Sequence, residues 1–152
     1  MKSFARRLVI VSAAALMLPS AWAADVATKD EAVAMVKKAI AYMKSNGKDK
    51  LITEVNAKNP LFVDRDLYIY LSADKGQVVA HAMNPKLVGR DLSQLKDADG
   101  KNFVAEMVKV ADSGKPGWVE YRWPNPVTKQ VEDKVTYVEK VDGLTFCAGV
   151  YK

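Results

Sequence analysis

Few residues in this chain could do covalent or metal chemistry. Its 152 residues include one histidine, His81, and one cysteine, Cys147. Nucleophilic catalysis needs a Ser or Cys activated by a neighbouring base. Cys147 lies between Phe146 and Ala148, where a cysteine reads as a small core residue, and nothing in the sequence brings it to His81. A closed zinc site draws on several Cys and His, so no metal and no cofactor is expected. Asp97 and Asp99 before Gly100 resemble a fragment of a calcium loop. They lack its further oxygen ligands and the acid at its twelfth position, so a solvated turn is expected. Asp64 and Asp66 could serve acid–base chemistry only if they faced a cleft, and they read as a polar turn after Phe62. With no nucleophile and base pair to be read, an enzyme is not expected.

The aromatic residues say more. Tyr68 and Tyr70 share one face of a predicted strand, Tyr121 and Trp123 share one face of another, and Tyr137 lies in the strand after that. Each carries a polar group that costs a few kcal/mol, roughly, if buried without a partner. Together they predict a half-polar cavity closed by a helix bearing Phe103 and Met107. His81, Lys134 and Arg122 could give that cavity a donor or a positive charge for an anionic ligand. Strand parity limits the set, because Lys134 and Tyr137 are an odd number of residues apart and point to opposite faces unless a bulge intervenes. The same parity separates Arg122 from Tyr121 and Trp123.

Several elements must position these side chains. Val33, Val36, Ile40 and Met43 recur at helical spacing, and Thr28 with Glu31 forms a capping-box pattern, so a helix is predicted from Thr28 to Met43, ending at Asn46-Gly47. A shorter helix is expected from Lys48 to about Lys58, stopped by Asn59-Pro60. The pattern then switches to period two. Leu67, Ile69 and Leu71 alternate with Tyr68 and Tyr70, and Asp74-Lys75-Gly76 turns the chain into Val78–His81, a β-hairpin. Both hairpin faces are apolar or aromatic, which predicts cover on both sides of the sheet. Residues 84–100 read as a long ordered loop. Phe103, Met107, Val110 and Ala111 mark a third helix, and strands are predicted at Trp118–Trp123, Val131–Val141 and Leu144–Tyr151. The expected fold class is α+β, on a five-stranded antiparallel sheet.

The first 23 residues read as a cleavable signal peptide. Lys2, Arg6 and Arg7 precede an apolar run from Leu8 to Leu18, and Ala21 and Ala23 flank Trp22, which predicts cleavage after Ala23. The apolar run is about half of the roughly 20 residues that a membrane-crossing helix needs. Removing residues 1–23 leaves 20 Lys and Arg against 18 Asp and Glu, so most of the net charge of +5 belongs to the leader. The remaining cations are interleaved with acids, as in Lys29-Asp30-Glu31, and no nucleic-acid partner is expected. Residues 24–152 are expected to form one soluble periplasmic or secreted domain.

The segments DLYIYLSADKGQVVAH, NPKLVGRDL, GWVEYRWPNP and KVTYVEKVDGLTFCAGVYK, in that order and spacing, closely resemble the single Cache domain of the second type, an extracytoplasmic sensor domain of bacterial chemoreceptors and histidine kinases. The resemblance spans nearly all of the chain after the leader. It implies a PAS-like fold, with a long N-terminal helix on one side of the sheet and a small-molecule pocket on the other, often for short carboxylates. Carried over by motif, Tyr68, Tyr70, His81, Tyr121, Trp123, Lys134 and Tyr137 would line or rim that pocket. The family's receptors continue into a second membrane helix and a cytoplasmic output domain, whereas this chain ends at Lys152, so the expected partner is a separate membrane receptor, kinase or transporter. The family position corresponding to Cys147 is usually Gly or another small residue. A sensor-type binding domain is thus expected. The alternative is a protein-interaction module with a vestigial pocket that modulates a membrane partner.

Overall fold

The computed structural model describes residues 26–152. The predicted leader and its cleavage site lie outside the described residues. The chain runs through α1 (Lys29–Asn46), α2 (Lys48–Asn56), β1 (Val63–Asp64), β2 (Leu67–Ser72), β3 (Val78–His81), α3 (Phe103–Asp112), β4 (Gly117–Pro124), β5 (Val131–Val141) and β6 (Leu144–Tyr151). Three short 3-10 turns, at Pro60–Phe62, Asp74–Gly76 and Pro85–Leu87, complete it.

α1 begins with the capping box predicted for it. The Thr28 hydroxyl accepts the Glu31 N–H at 3.3 Å, and the Glu31 carboxylate accepts the Thr28 N–H at 2.6 Å. Such a pair satisfies two of the orphan donors at a helix start. Its buried stripe is Ala32, Met35, Val36, Ala39, Ile40 and Met43, at the expected spacing. The helix runs one turn past Met43 and stops at Gly47, whose φ of 89° suits a residue without a Cβ. α2 follows directly and buries Leu51 and Val55.

All strand pairs in the sheet are antiparallel, and the order is β1-β2-β6-β5-β4, with β3 also paired to β2. The five predicted strands are present. The sixth, β1, is a two-residue strand that pairs Val63 with Tyr68 and Asp64 with Leu67, too short to leave a period-two signal in sequence.

Both faces of the sheet are covered, as the two-sided apolar pattern of β2 requires. On one face α1 and α2 pack on Leu67, Ile69, Leu71, Val135, Phe146, Ala148 and Val150. On the other, α3 packs Phe103, Val104, Met107 and Ala111 against Val119, Tyr121, Val138 and Cys147. Gly117 permits that approach, since a Cβ there would meet Val110 Cγ1 at 2.9 Å. The segment between β3 and α3 is an ordered loop tied back to the hairpin, by Val78 N–H to Arg90 O, Gly89 N–H to Val78 O and Leu92 N–H to Gly76 O. It brings Leu87 and Leu92 over the same face as α3. Among the described residues no helix is long and apolar enough to cross a membrane.

Candidate ligand-binding site

A cavity lies between the α3 face of the sheet, α3 itself and the β3–α3 loop. Six of the nine predicted binding residues line it: Tyr68, Tyr70, His81, Met107, Tyr121 and Trp123. The strands explain the grouping. Tyr70 stands opposite both His81 on β3 and Cys147 on β6, while Tyr121 and Trp123 share a face of β4 across the sheet. Phe103, at the first turn of α3, stacks on Tyr121 with ring centroids 4.2 Å apart and planes 1° apart, and meets Trp123 edge-on at 5.5 Å. The space open to water-sized spheres is about 30 Å³. At ~10–15 Å³ per water, that holds about two waters.

From sequence, a ligand is expected to satisfy the tyrosine hydroxyls. The fold satisfies most of them itself. Tyr70 donates to Met107 Sδ at 2.7 Å, the hydroxyls of Tyr121 and Thr136 are 3.0 Å apart, and Tyr137 donates to Glu139 at 3.0 Å. His81 is the more available donor. Its Nδ1 accepts the N–H groups of Met83 and Asn84 at 3.2 and 2.9 Å, which assigns the proton to Nε2. Burial, then the positive charge of Lys134, pushes His81 down to about 4. At neutral pH it is an uncharged donor on the cavity wall.

Lys134 is 2% exposed. It does not line the cavity; its Nζ lies 3.9 Å from the centroid of Tyr68 and 4.5 Å from that of Tyr151, and it donates to the Tyr151 hydroxyl at 3.1 Å. The ammonium thus rests on the ring of Tyr68, which itself lines the cavity. Desolvation lowers the proton affinity of Lys134, and its positive charge adds to the effect of burial in lowering that of His81. The room for its stem comes from Gly149, where a Cβ would meet Thr136 Oγ1 at 2.1 Å and Lys134 Cε at 2.6 Å.

The structure does not bring the other two predicted residues to the cavity. Tyr137 is on the α1 face of β5, edge-on to Trp118 at 5.2 Å, the side that parity with Lys134 required. Arg122 faces outward and pairs with Asp99 and Asp133, each at 3.6 Å. Asp97 and Asp99 belong to a turn: Asp97 Oδ1 accepts the N–H groups of Asp99 and Lys101, and its Oδ2 accepts that of Arg122. Asp64 is exposed, as a polar turn implies. Asp66 is not: it is 4% exposed and accepts the N–H of Ala27 at 3.2 Å. Cys147 and His81 flank Tyr70 on either side, two strand spacings or roughly 10 Å apart. Burial pushes the Cys147 thiol up to about 12, so it is held as the thiol. Phe103, expected on the closing helix, is itself a wall of the cavity. Sequence reasoning missed Ser72 and Thr145 on the sheet and the loop residues Leu87 and Leu92. The parity of Ser72 with Tyr68 and Tyr70 was a usable signal; the loop residues left none.

Comparison with known proteins places this geometry. The family described as Single Cache domain 2 matches residues 6–150. The methyl-accepting chemotaxis protein McpP of Pseudomonas putida is 36% identical over 90 residues, covering 58% of this chain and 16% of that protein. The sensor histidine kinase MctS of Rhizobium johnstonii is 30% identical over 85 residues, covering 56% and 18%. The chain thus spans less than a fifth of the length of these relatives. A structure of a methyl-accepting chemotaxis protein from Vibrio parahaemolyticus superposes with a TM-score of 0.69 at 21% identity, covering 81% of this chain and 87% of that one. A Cache chemosensory domain, described for its recognition of carboxylic acids, superposes with a TM-score of 0.63 at 27% identity, covering 80% and 86%.

Proposed function

This chain belongs to the single Cache domain 2 family, a sensor domain like those of chemoreceptors and histidine kinases, and from that premise we propose that its cavity binds a short monocarboxylate of two or three carbons. One observation carries the reading. The cavity is walled by aromatic rings and, among the described residues, lined by no acidic one; the positive charge beside it is the buried ammonium of Lys134, and His81 offers a neutral N–H. Such a site attracts an anion and leaves no partner for the ammonium of an amino acid, whose burial would be penalised. The small volume favours acetate or propionate over larger acids. Carboxylic acid recognition by the structurally similar Cache chemosensory domain agrees with this chemistry. The domain acts outside the cytoplasm after cleavage behind Ala23 and presents its bound state to a membrane receptor, kinase or transporter. Its work is recognition rather than catalysis.

A thermal-shift series with acetate, propionate, lactate, pyruvate and alanine tests this. At 100 times its dissociation constant, a bound acid adds about 2.7 kcal/mol and raises Tm by several degrees. Alanine should give no shift. Lys134→Met should weaken binding about tenfold or more, and Trp123→Ala should weaken it by opening the wall. A flat response to all the acids would overturn the reading and favour a module that works through protein contacts alone.

A further inference from the structure

The row of side chains that carries Lys134 continues past the cavity. Tyr121, Lys134 and Tyr151 stand opposite one another on β4, β5 and β6. The register of β2 with β6, which sets Ile69 opposite Ala148, places Asp66, one residue before β2, opposite Tyr151 when continued. Asp66 is buried. Its Oδ1 holds the Ala27 N–H, while its Oδ2 has no hydrogen-bond partner among the described residues. A buried carboxylate oxygen without a partner is costly, and the cation on the same row is Lys134, itself held by two aromatic rings and a phenol rather than by a carboxylate. The negative charge of Asp66 reaches Lys134 and partly offsets its desolvation. At its other end Asp66 grips Ala27, the buried residue just before Thr28, the N-cap of α1.

We propose that Asp66 is the resident counter-ion of Lys134, that an anion in the cavity competes with it for that charge, and that Asp66 thereby passes occupancy to Ala27 and the start of α1. The part that concerns ligand rests on the carboxylate reading above. The direction follows from electrostatics. With the cavity empty, the attraction between the Lys134 ammonium and the Asp66 carboxylate holds that carboxylate where its Oδ1 accepts the Ala27 N–H. A bound carboxylate neutralises that field and adds a like charge, and the grip on Ala27 weakens. The N-terminal end of α1 loosens when the cavity fills.

Amide hydrogen exchange followed by NMR tests this, with the Val135 and Val150 amides as internal reports of global opening. In ligand-free protein, Lys134→Met should speed exchange at Ala27 about tenfold relative to those two amides. Propionate should shift wild-type Ala27 in the same direction. In Asp66→Asn, which keeps an acceptor for Ala27 and removes the charge, propionate should leave Ala27 unchanged. An Ala27 rate unmoved in Lys134→Met would overturn the coupling, and so would a propionate-induced rise in Tm with no change at Ala27. If propionate raises no Tm yet Ala27 still quickens in Lys134→Met, the coupling stands and the carboxylate reading is what falls. Should Lys134→Met fold poorly, Lys134→Gln carries the same comparison.

Discussion

His81 gives the site a pH signature that can be worked out in advance. It is the only histidine in the chain, and burial with the field of Lys134 lowers it from the ordinary 6.5 to about 4 in the folded protein. The unfolded chain therefore binds a proton at higher pH than the folded one. The stability that His81 contributes by staying neutral is complete above pH 6.5 and is lost as pH falls toward 4. Two and a half pH units correspond to about 3 kcal/mol in full, of which about 2 kcal/mol disappears between pH 7 and pH 5. Carboxylates with ordinary affinities titrate mainly below that window. Urea unfolding at pH 7, 6 and 5, on wild type and on His81→Gln, isolates the contribution as the difference between the two curves. The expected difference falls by about 2 kcal/mol over those two units, and the His81 ring stays neutral throughout by its NMR resonances. A flat difference, or a ring that titrates near 6.5 in the folded protein, would show that burial and Lys134 do not perturb His81 as argued.

Other consequences are simpler to measure. Gly149→Ala forces a Cβ against Thr136 Oγ1 and Lys134 Cε, so it should cost about 1–3 kcal/mol in urea unfolding and weaken propionate binding; an unchanged midpoint would refute the tight approach of Lys134 to β6. Phe103→Ala removes a ring that is 4% exposed and stacks on Tyr121, with an expected loss of about 3–5 kcal/mol. Tyr121→Phe keeps that stack and deletes only the hydroxyl beside Thr136, so its cost should be about 1 kcal/mol. Expression with export intact should yield a chain whose intact mass begins at Ala24; a mass that retains residues 1–23 would exclude cleavage behind Ala23.

The elements were legible because each one announces itself locally. The capping box at Thr28 and the period-two run through Tyr68 and Tyr70 need no knowledge of the rest of the chain, and parity alone divided Lys134 from Tyr137 correctly. The same parity would have grouped Asp66 with Tyr68 and Tyr70. The run of Asp64 and Asp66 between Phe62 and Leu67 nevertheless reads as a turn, and only the pairing of β2 with β6 reveals that its second carboxylate is turned inward. The position of Lys134 was out of reach for a similar reason. That its ammonium rests on the Tyr68 ring rather than lining the cavity depends on a missing side chain at Gly149, on a different strand. Contacts of this kind belong to the register between strands, which no single segment encodes. The β3–α3 loop shows the other limit, since its leucines cover the cavity through backbone ties that leave no pattern in sequence.

The placement of Lys134 has a physical logic of its own. Taking an ammonium out of water costs several kcal/mol, roughly, and an ion pair with good geometry can recover much of it. Here the contacts are two ring faces and one phenol, which are weaker acceptors, while Asp66 stands farther along the row and offsets only part of the charge. A lysine locked to a carboxylate would be better satisfied and electrostatically silent. One held against Tyr68 and Tyr151 keeps a charge that adds to burial in depressing His81. The same under-satisfaction that weakens the empty fold would attract the anion proposed for the cavity, and Asp66, also short of one partner, would sense when that charge has been claimed.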